Sequence, residues 1–182
     1  EISLNVLDVS ENSTRAGASL VTILVTADTS ADKLTIVIAD NGCGMTPEQA
    51  AHVTDPFFTT RTTRKVGLGI PFFKYAAEST GGSFHIESEP GKGTTVTAVF
   101  GLSHIDRMPL GDMNATIHNL IVYHPDTDFL YTYTYNDASF TLDTREMREI
   151  LGGILLSTPE LSAYIMEYLK ENLLETDGGA LI

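Results

Sequence analysis

One cysteine, Cys43, stands among 182 residues, and no internal disulfide framework can be built from it. Such sparing use of cysteine fits a reducing compartment. Basic residues are scarce as well: eleven Lys and Arg stand against twenty-four Asp and Glu, for a formal net charge of −13. A nucleic-acid binder displaces counterions with clustered Lys and Arg, so stable DNA or RNA binding is not expected. No apolar run approaches the roughly 20 residues needed to cross a bilayer, and no membrane partner is expected. The opening residues form an amphipathic pattern rather than a signal peptide, which makes the cytoplasm the expected setting. Internal repeats are absent. What is there is a 42% hydrophobic composition, enough for a core, in a length suited to one domain with an appendage or to two small domains. An acidic chain that held a polyanion would have to do so locally, with backbone N–H groups, a metal ion or a few placed cations.

Hydrophobic spacing divides the chain into elements. Residues Ile2 to Arg15 read as a helix, closed at Gly17. Leu20 to Ala27 and Leu34 to Ala39 read as strands joined in a hairpin, and Pro47 suits the first turn of a helix through His52. Thr54 to Val66 has no period and reads as a loop. Gly67 to Thr80 follows as a helix, and Ser83 to Ser88 with Thr94 to Phe100 as a second pair of strands. After Gly101 the expectation is a helix over Leu110 to Val122, a hairpin of Phe129 to Tyr135 with Ser139 to Asp143, and a short helix over Thr144 to Leu151. A last helix then runs from Ser157 through Leu174, with a frayed tail from Glu175.

Three constellations carry chemistry. Asp8 and Asn12 are one helical repeat apart and share a face, where an acid and an amide can hold a water and a metal together. Asp40-Asn41-Gly42-Cys43-Gly44-Met45 follows a strand; its carboxylate can accept from an exocyclic amine, and its glycines let backbone pass close to a planar ligand. Lys65-Val66-Gly67-Leu68-Gly69-Ile70 opens a helix whose free N–H groups suit phosphates. Taken singly, each also fits a solvated polar face or a glycine turn. The spacing matches neither a Walker loop nor a dinucleotide fingerprint.

In this order, the three resemble the GHKL superfamily of gyrase B, Hsp90-type chaperones, histidine kinases and MutL, over about residues 1 to 101. Glu11-Asn12-Ser13 followed by Ala16-Gly17-Ala18 is similar to the MutL style, and Asp40 to Met45 to the adenine box. Asp55-Pro56-Phe57-Phe58-Thr59-Thr60, Gly67-Leu68-Gly69, and Ser88 to Thr95 after Gly81-Gly82 look like the closing motifs of histidine kinases. The resemblance implies a two-layer α/β sandwich of the Bergerat type and a site for ATP and Mg²⁺. It implies Asn12 on the metal and Asp40 on the adenine amine, with Thr94 helping through water and Gly42, Gly44 and Met45 around the base. Gly67, Leu68 and Gly69 would cradle phosphate under a lid that starts at Phe57. Lys65, with Arg61 and Arg64, would supply cation near the γ-phosphate.

Two departures limit what the resemblance implies. ATP-hydrolysing members carry Glu four residues before the Asn, and histidine kinases usually carry Asn; this chain has Asp8, an acid one methylene shorter. Ser103-His104-Ile105-Asp106-Arg107-Met108-Pro109-Leu110 looks like the kinase phosphoacceptor box, but it follows the domain instead of preceding it. His104 is a candidate phosphoacceptor, with a chance match in a linker the plainer account. His118 and His124 show no metal spacing. Cys43 reads as a small packed thiol. Tyr131, Tyr133 and Tyr135 alternate onto one sheet face, read as a packing face.

The expectation is therefore an α+β protein with a histidine-kinase-like ATP-binding domain over residues 1–101 and a small α+β module over 102–182. The expected function is Mg·ATP binding with slow hydrolysis or phosphoryl transfer, coupled to a protein partner, a homodimer being one possibility. The alternatives are a kinase acting on a partner Ser or Thr or on His104, and a nucleotide-sensing module without chemistry.

Overall fold

The computed structural model describes residues 1–57 and 68–182. Its centre is a six-stranded sheet in the order β3-β4-β2-β1-β5-β6. The strands are β1 (Leu20–Asp28), β2 (Lys33–Asp40), β3 (Ser83–Glu89), β4 (Gly93–Gly101), β5 (Asp128–Tyr135) and β6 (Ala138–Asp143). Every neighbouring pair is antiparallel except β1 with β5. That parallel contact is the one that needs a long crossover, and the chain makes it by way of β2, β3, β4 and several helices.

The helices are α1 (Ile2–Arg15), α2 (Pro47–Val53), α3 (Gly69–Glu78), α4 (Met113–Tyr123), α5 (Thr144–Leu151) and α6 (Pro159–Asp177). Strict alternation along the central strands explains why helices cover one face of the sheet. Val21, Ile23, Val25 and Ala27 of β1 are buried, as are Leu34, Ile36 and Ile38 of β2, while Thr22, Thr26 and Thr35 between them are not. Ile2, Val6, Val9 and Ser13 make the buried stripe of α1 that meets this face. Each large aliphatic side chain so buried contributes on the order of 2 kcal/mol relative to exposure. The result is a two-layer α/β sandwich.

Residues 102–182, expected as a module of their own, add β5 and β6 to the same sheet, so the core runs on past residue 101. The tyrosine face is a packing face: Tyr131 and Tyr133 are buried against Phe140, Tyr131 edge-on and Tyr133 tilted, with ring centroids 5.8 and 6.1 Å away. Tyr133 donates to Asp177 Oδ2 at 3.0 Å, whereas the buried Tyr131 hydroxyl has no hydrogen-bond partner among the described residues.

Two terminal expectations need correction. The tail does not fray from Glu175: α6 continues to Asp177, and Leu110 N donates to Ile182 O at 2.9 Å, because Ile182 packs on the core beyond the helix. The fourth helix starts at Met113 rather than Leu110, since Asp112 caps it by accepting from Ala115 N at 2.8 Å.

Candidate functional site

β2 delivers Asp40 at its last position, level with Val21 of β1 and Thr94 of β4. Its carboxylate is held from two sides. Oδ2 accepts from Ser13 Oγ at 2.6 Å, and Oδ1 accepts from Gly42 N at 2.9 Å. Ser13 is 3% exposed and arrives from the buried stripe of α1, so helix packing fixes where its hydroxyl can point. A short hydrogen bond to an ionised acceptor belongs to the stronger class of such contacts.

Glycines bring backbone against backbone around this carboxylate. Gly44 has φ +66°, and a methyl group there would run into the carbonyl oxygen of Glu89. Gly93 has φ +122°, and a methyl group there would run into the carbonyl oxygen of Asp40 itself. Only glycine meets both demands, conformation and space. The gap they close is bridged by Gly91 N donating to Cys43 O at 2.8 Å and by Met45 N donating to Ser88 Oγ at 2.8 Å. Ser88 Oγ also lies 2.8 Å from Thr94 Oγ1 and 3.0 Å from Gly93 O. With one proton to give and three polar neighbours, Ser88 orients the hydroxyl of Thr94 and the backbone of Met45 together. A groove of about 500 Å³ between α2 and β3 is lined by Pro47, Phe84, Ile86 and Ser88, and so borders this cluster.

The second half of the site lies along α1. Asp8 is exposed, and the first residue of α3 comes directly against it: a methyl group on Gly69 would sit 3.1 Å from Asp8 Oδ2. Leu68 is the residue that caps this helix end. Asn12, a turn further on, accepts from the Arg15 guanidinium through Oδ1 at 2.6 Å. Asp8 and Ser13 are separated by about 7.5 Å along the helix axis at the standard rise. Asp8 and Asn12, four residues apart, form a short row on one face of α1, and Ser13, next to Asn12, bonds Asp40 at the end of β2. Oxygen donors of this kind, a carboxylate and an amide, suit a hard cation such as Mg²⁺. Among the described residues, no group of three or more His, Cys, Asp or Glu gathers as a metal cluster.

The structure separates other residues from this row. Glu11 Oε1 lies 2.9 Å from His124 Nε2, which ties α1 to the end of α4. Phe57 is 94% exposed, its N–H donating to Asp55 Oδ1. Arg61, Arg64, Lys65 and Gly67 lie outside the described residues. The Cys43 thiol, expected to be packed, is exposed; its backbone is what packs, through Ala16 O and Gly91 N. His118 bonds to Ser162 of α6, with Nε2 2.8 Å from Oγ, and so has a structural role. His104 follows the far end of β4, while Thr94 starts the near end; seven strand steps between Thr94 and Gly101 span roughly 23 Å.

Sequence reasoning missed Ser13, Ser88 and Arg15 as members of this site. Ser13 and Ser88 stood inside the motifs already noted, but only the helix stripe and the strand register show that they face Asp40 and Thr94. Ser88 pairs with Thr94 and Thr94 with Asp40 across three strands.

Comparison with known proteins identifies the family. The family described as histidine kinase-, DNA gyrase B- and HSP90-like ATPase matches residues 1–104. A putative sensor protein of Shewanella frigidimarina is 39% identical over 70 residues, 38% of this chain and 11% of that protein. A probable C4-dicarboxylate sensor kinase of Bacillus subtilis is 35% identical over 69 residues, 38% of this chain and 13% of that one. The sensor protein SrrB of Staphylococcus aureus is 33% identical over 100 residues, 52% of this chain and 17% of its own length. The match therefore spans between 11 and 17% of these relatives. In fold, the chain is similar to the N-terminal domain of a DNA repair protein, with a TM-score of 0.53 at 13% identity, over 79% of this chain and 51% of that one. With more than half of its length matched by the family and its sheet built as a two-layer sandwich, this chain belongs to the histidine kinase-, DNA gyrase B- and HSP90-like ATPases and carries their ATP-binding domain.

Proposed function

We propose that the chain binds Mg·ATP with adenine on Asp40 and phosphates toward Asp8 and the start of α3, and works as a slow ATPase or phosphotransfer switch coupled to a protein partner. The observation that carries this reading is the contact between Asp8 and Gly69. Asp is one methylene shorter than the Glu of hydrolysing members. A helix that begins with glycine can come close enough to bring phosphate to the shorter acid. Asp8 would orient and deprotonate a water there. Glu11 is engaged by His124 and is no substitute. Asn12 would hold Mg²⁺, which neutralises phosphate charge when bound. Arg15, now on Asn12 Oδ1, keeps that amide oxygen turned to one side of α1.

The similarity to sensor kinases favours a second reading, transfer to a protein acceptor. His104 of the same chain is a poor acceptor, because it lies at the opposite end of β4 from Thr94. One incubation with γ-labelled ATP separates these readings. Free phosphate is expected, and Asp8→Asn should lower its release by about 100-fold while ATP affinity stays within a few-fold. Label retained on protein would support transfer instead; ATP bound with no phosphate moved would make the chain a nucleotide sensor.

A further inference from the structure

We infer that Ser13 is a positioning residue for base recognition: its hydroxyl fixes Asp40 so that one carboxylate lone pair faces the amine of adenine. The inference rests on the nucleotide-binding reading of Asp40 given above. Both oxygens of Asp40 are engaged, but not equivalently. The bond from Gly42 N is made by the loop that follows Asp40 and moves with it. The bond from Ser13 Oγ, at 2.6 Å, crosses from α1 and is the contact that ties Asp40 to the helix layer. Ser13 Oγ also lies 3.4 Å from Val9 O, within its own helix, so its single proton has two claimants. The shorter bond to a charged acceptor wins.

Burial strengthens the argument. Ser13 is 3% exposed, so water does not replace its hydroxyl when that is removed. Asp40 would keep one hydrogen bond from its own loop and could turn about its side-chain torsions. A carboxylate with a fixed lone pair favours a base that donates at this edge. A turning carboxylate gives up part of that preference, and other contacts to the nucleotide are untouched. The signature is therefore specific: the energetic value of the adenine amine falls, and the affinity common to all purine nucleotides does not.

The test is a cycle between a protein change and a ligand change. Binding of ATP and of purine riboside triphosphate, which lacks the exocyclic amine, is measured calorimetrically on the wild-type chain, Ser13→Ala and Asp40→Asn. Wild type should prefer ATP. Ser13→Ala should lose roughly tenfold in ATP affinity, with the amine-free nucleotide nearly unchanged. Ser13→Cys, close in size and a weak donor, should behave likewise and guards against a folding failure in the alanine variant. Unchanged ATP affinity in folded Ser13 variants, or equal losses for both nucleotides, overturns the positioning role. Failure of the underlying reading looks different: wild type would bind both nucleotides equally, and Asp40→Asn would leave ATP affinity intact.

Discussion

β2 carries a carboxylate beside each of its ends, and the two are held by the same kinds of donor. Asp40 accepts from a serine hydroxyl and a backbone N–H, at 2.6 and 2.9 Å. Asp32, just before the other end, accepts from Ser103 Oγ and Ser103 N, both at 2.9 Å. The surroundings differ. At Asp32 one residue supplies both donors and Leu102 N donates to the Asp32 carbonyl, so the segment after β4 is stapled onto the β1–β2 turn. At Asp40 the donors come from a helix and a loop, and Gly42, Gly44 and Gly93 let backbone pack directly against backbone beside it. One carboxylate closes a turn, while the other lies among loops that pack backbone to backbone through glycine. A carboxylate accepting a serine does not mark a site; the glycine-packed loops around it do.

The comparison can be broken at its glycines first. Gly44→Ala meets both a left-handed backbone and the Glu89 carbonyl, and should cost about 3 kcal/mol in urea unfolding. Gly81→Ala, past the end of α3, has φ +73° but meets no atom of the described residues within 4 Å beyond its chain neighbours, and should cost only the conformational part, about 1 kcal/mol. Equal costs would mean that the close approach at Gly44 carries no energy.

The carboxylates themselves give the next contrast. Asp32→Asn should lower stability by about 1 kcal/mol, a few degrees in Tm, with ATP affinity unchanged. Weaker ATP binding in that variant would join the two ends into one functional unit.

The smallest effect at neutral pH lies in the tyrosine layer, which serves neither end. Burial, with the neighbouring Tyr133 and Asp177, holds the Tyr131 phenol above the usual range; burial and the bonded Asp177 do the same for Tyr133. A phenol raised in the fold contributes stability that is whole below the unfolded value near 10 and declines as pH climbs past it. Urea unfolding followed from about pH 8 to 11 should show that decline, and Tyr133→Phe should reduce it. A flat profile would contradict the burial of these hydroxyls.

Much of this architecture was legible in the residues. The alternation in Leu20 to Ala27 and the stripe of Ile2, Val6 and Val9 placed strands and helix because periodicity is a local property. Asp40 and its glycines were legible as a motif for the same reason. The joining of β5 to β1 was not, because a parallel pairing of Leu20 with Asp128 and Ala27 with Tyr135, so distant in sequence, leaves no local mark at either strand. Nor was the contact of Ser13 with Asp40, 27 residues apart, or the approach of Gly69 to Asp8. The exposure of Cys43 was misjudged because packing there engages its backbone and leaves its thiol outside. The docked tail escaped notice since Ile182 is held by Leu110, a partner distant in sequence.

The central claim is that the glycine-packed end of β2, at Asp40, is where the nucleotide binds. Calorimetric titration of Mg·ATP into the wild-type chain and Asp40→Asn tests it most directly, with unfolding temperature measured alongside. The expected result is a loss of about 100-fold in affinity at nearly constant Tm. Unchanged affinity in a folded Asp40→Asn chain would contradict the account.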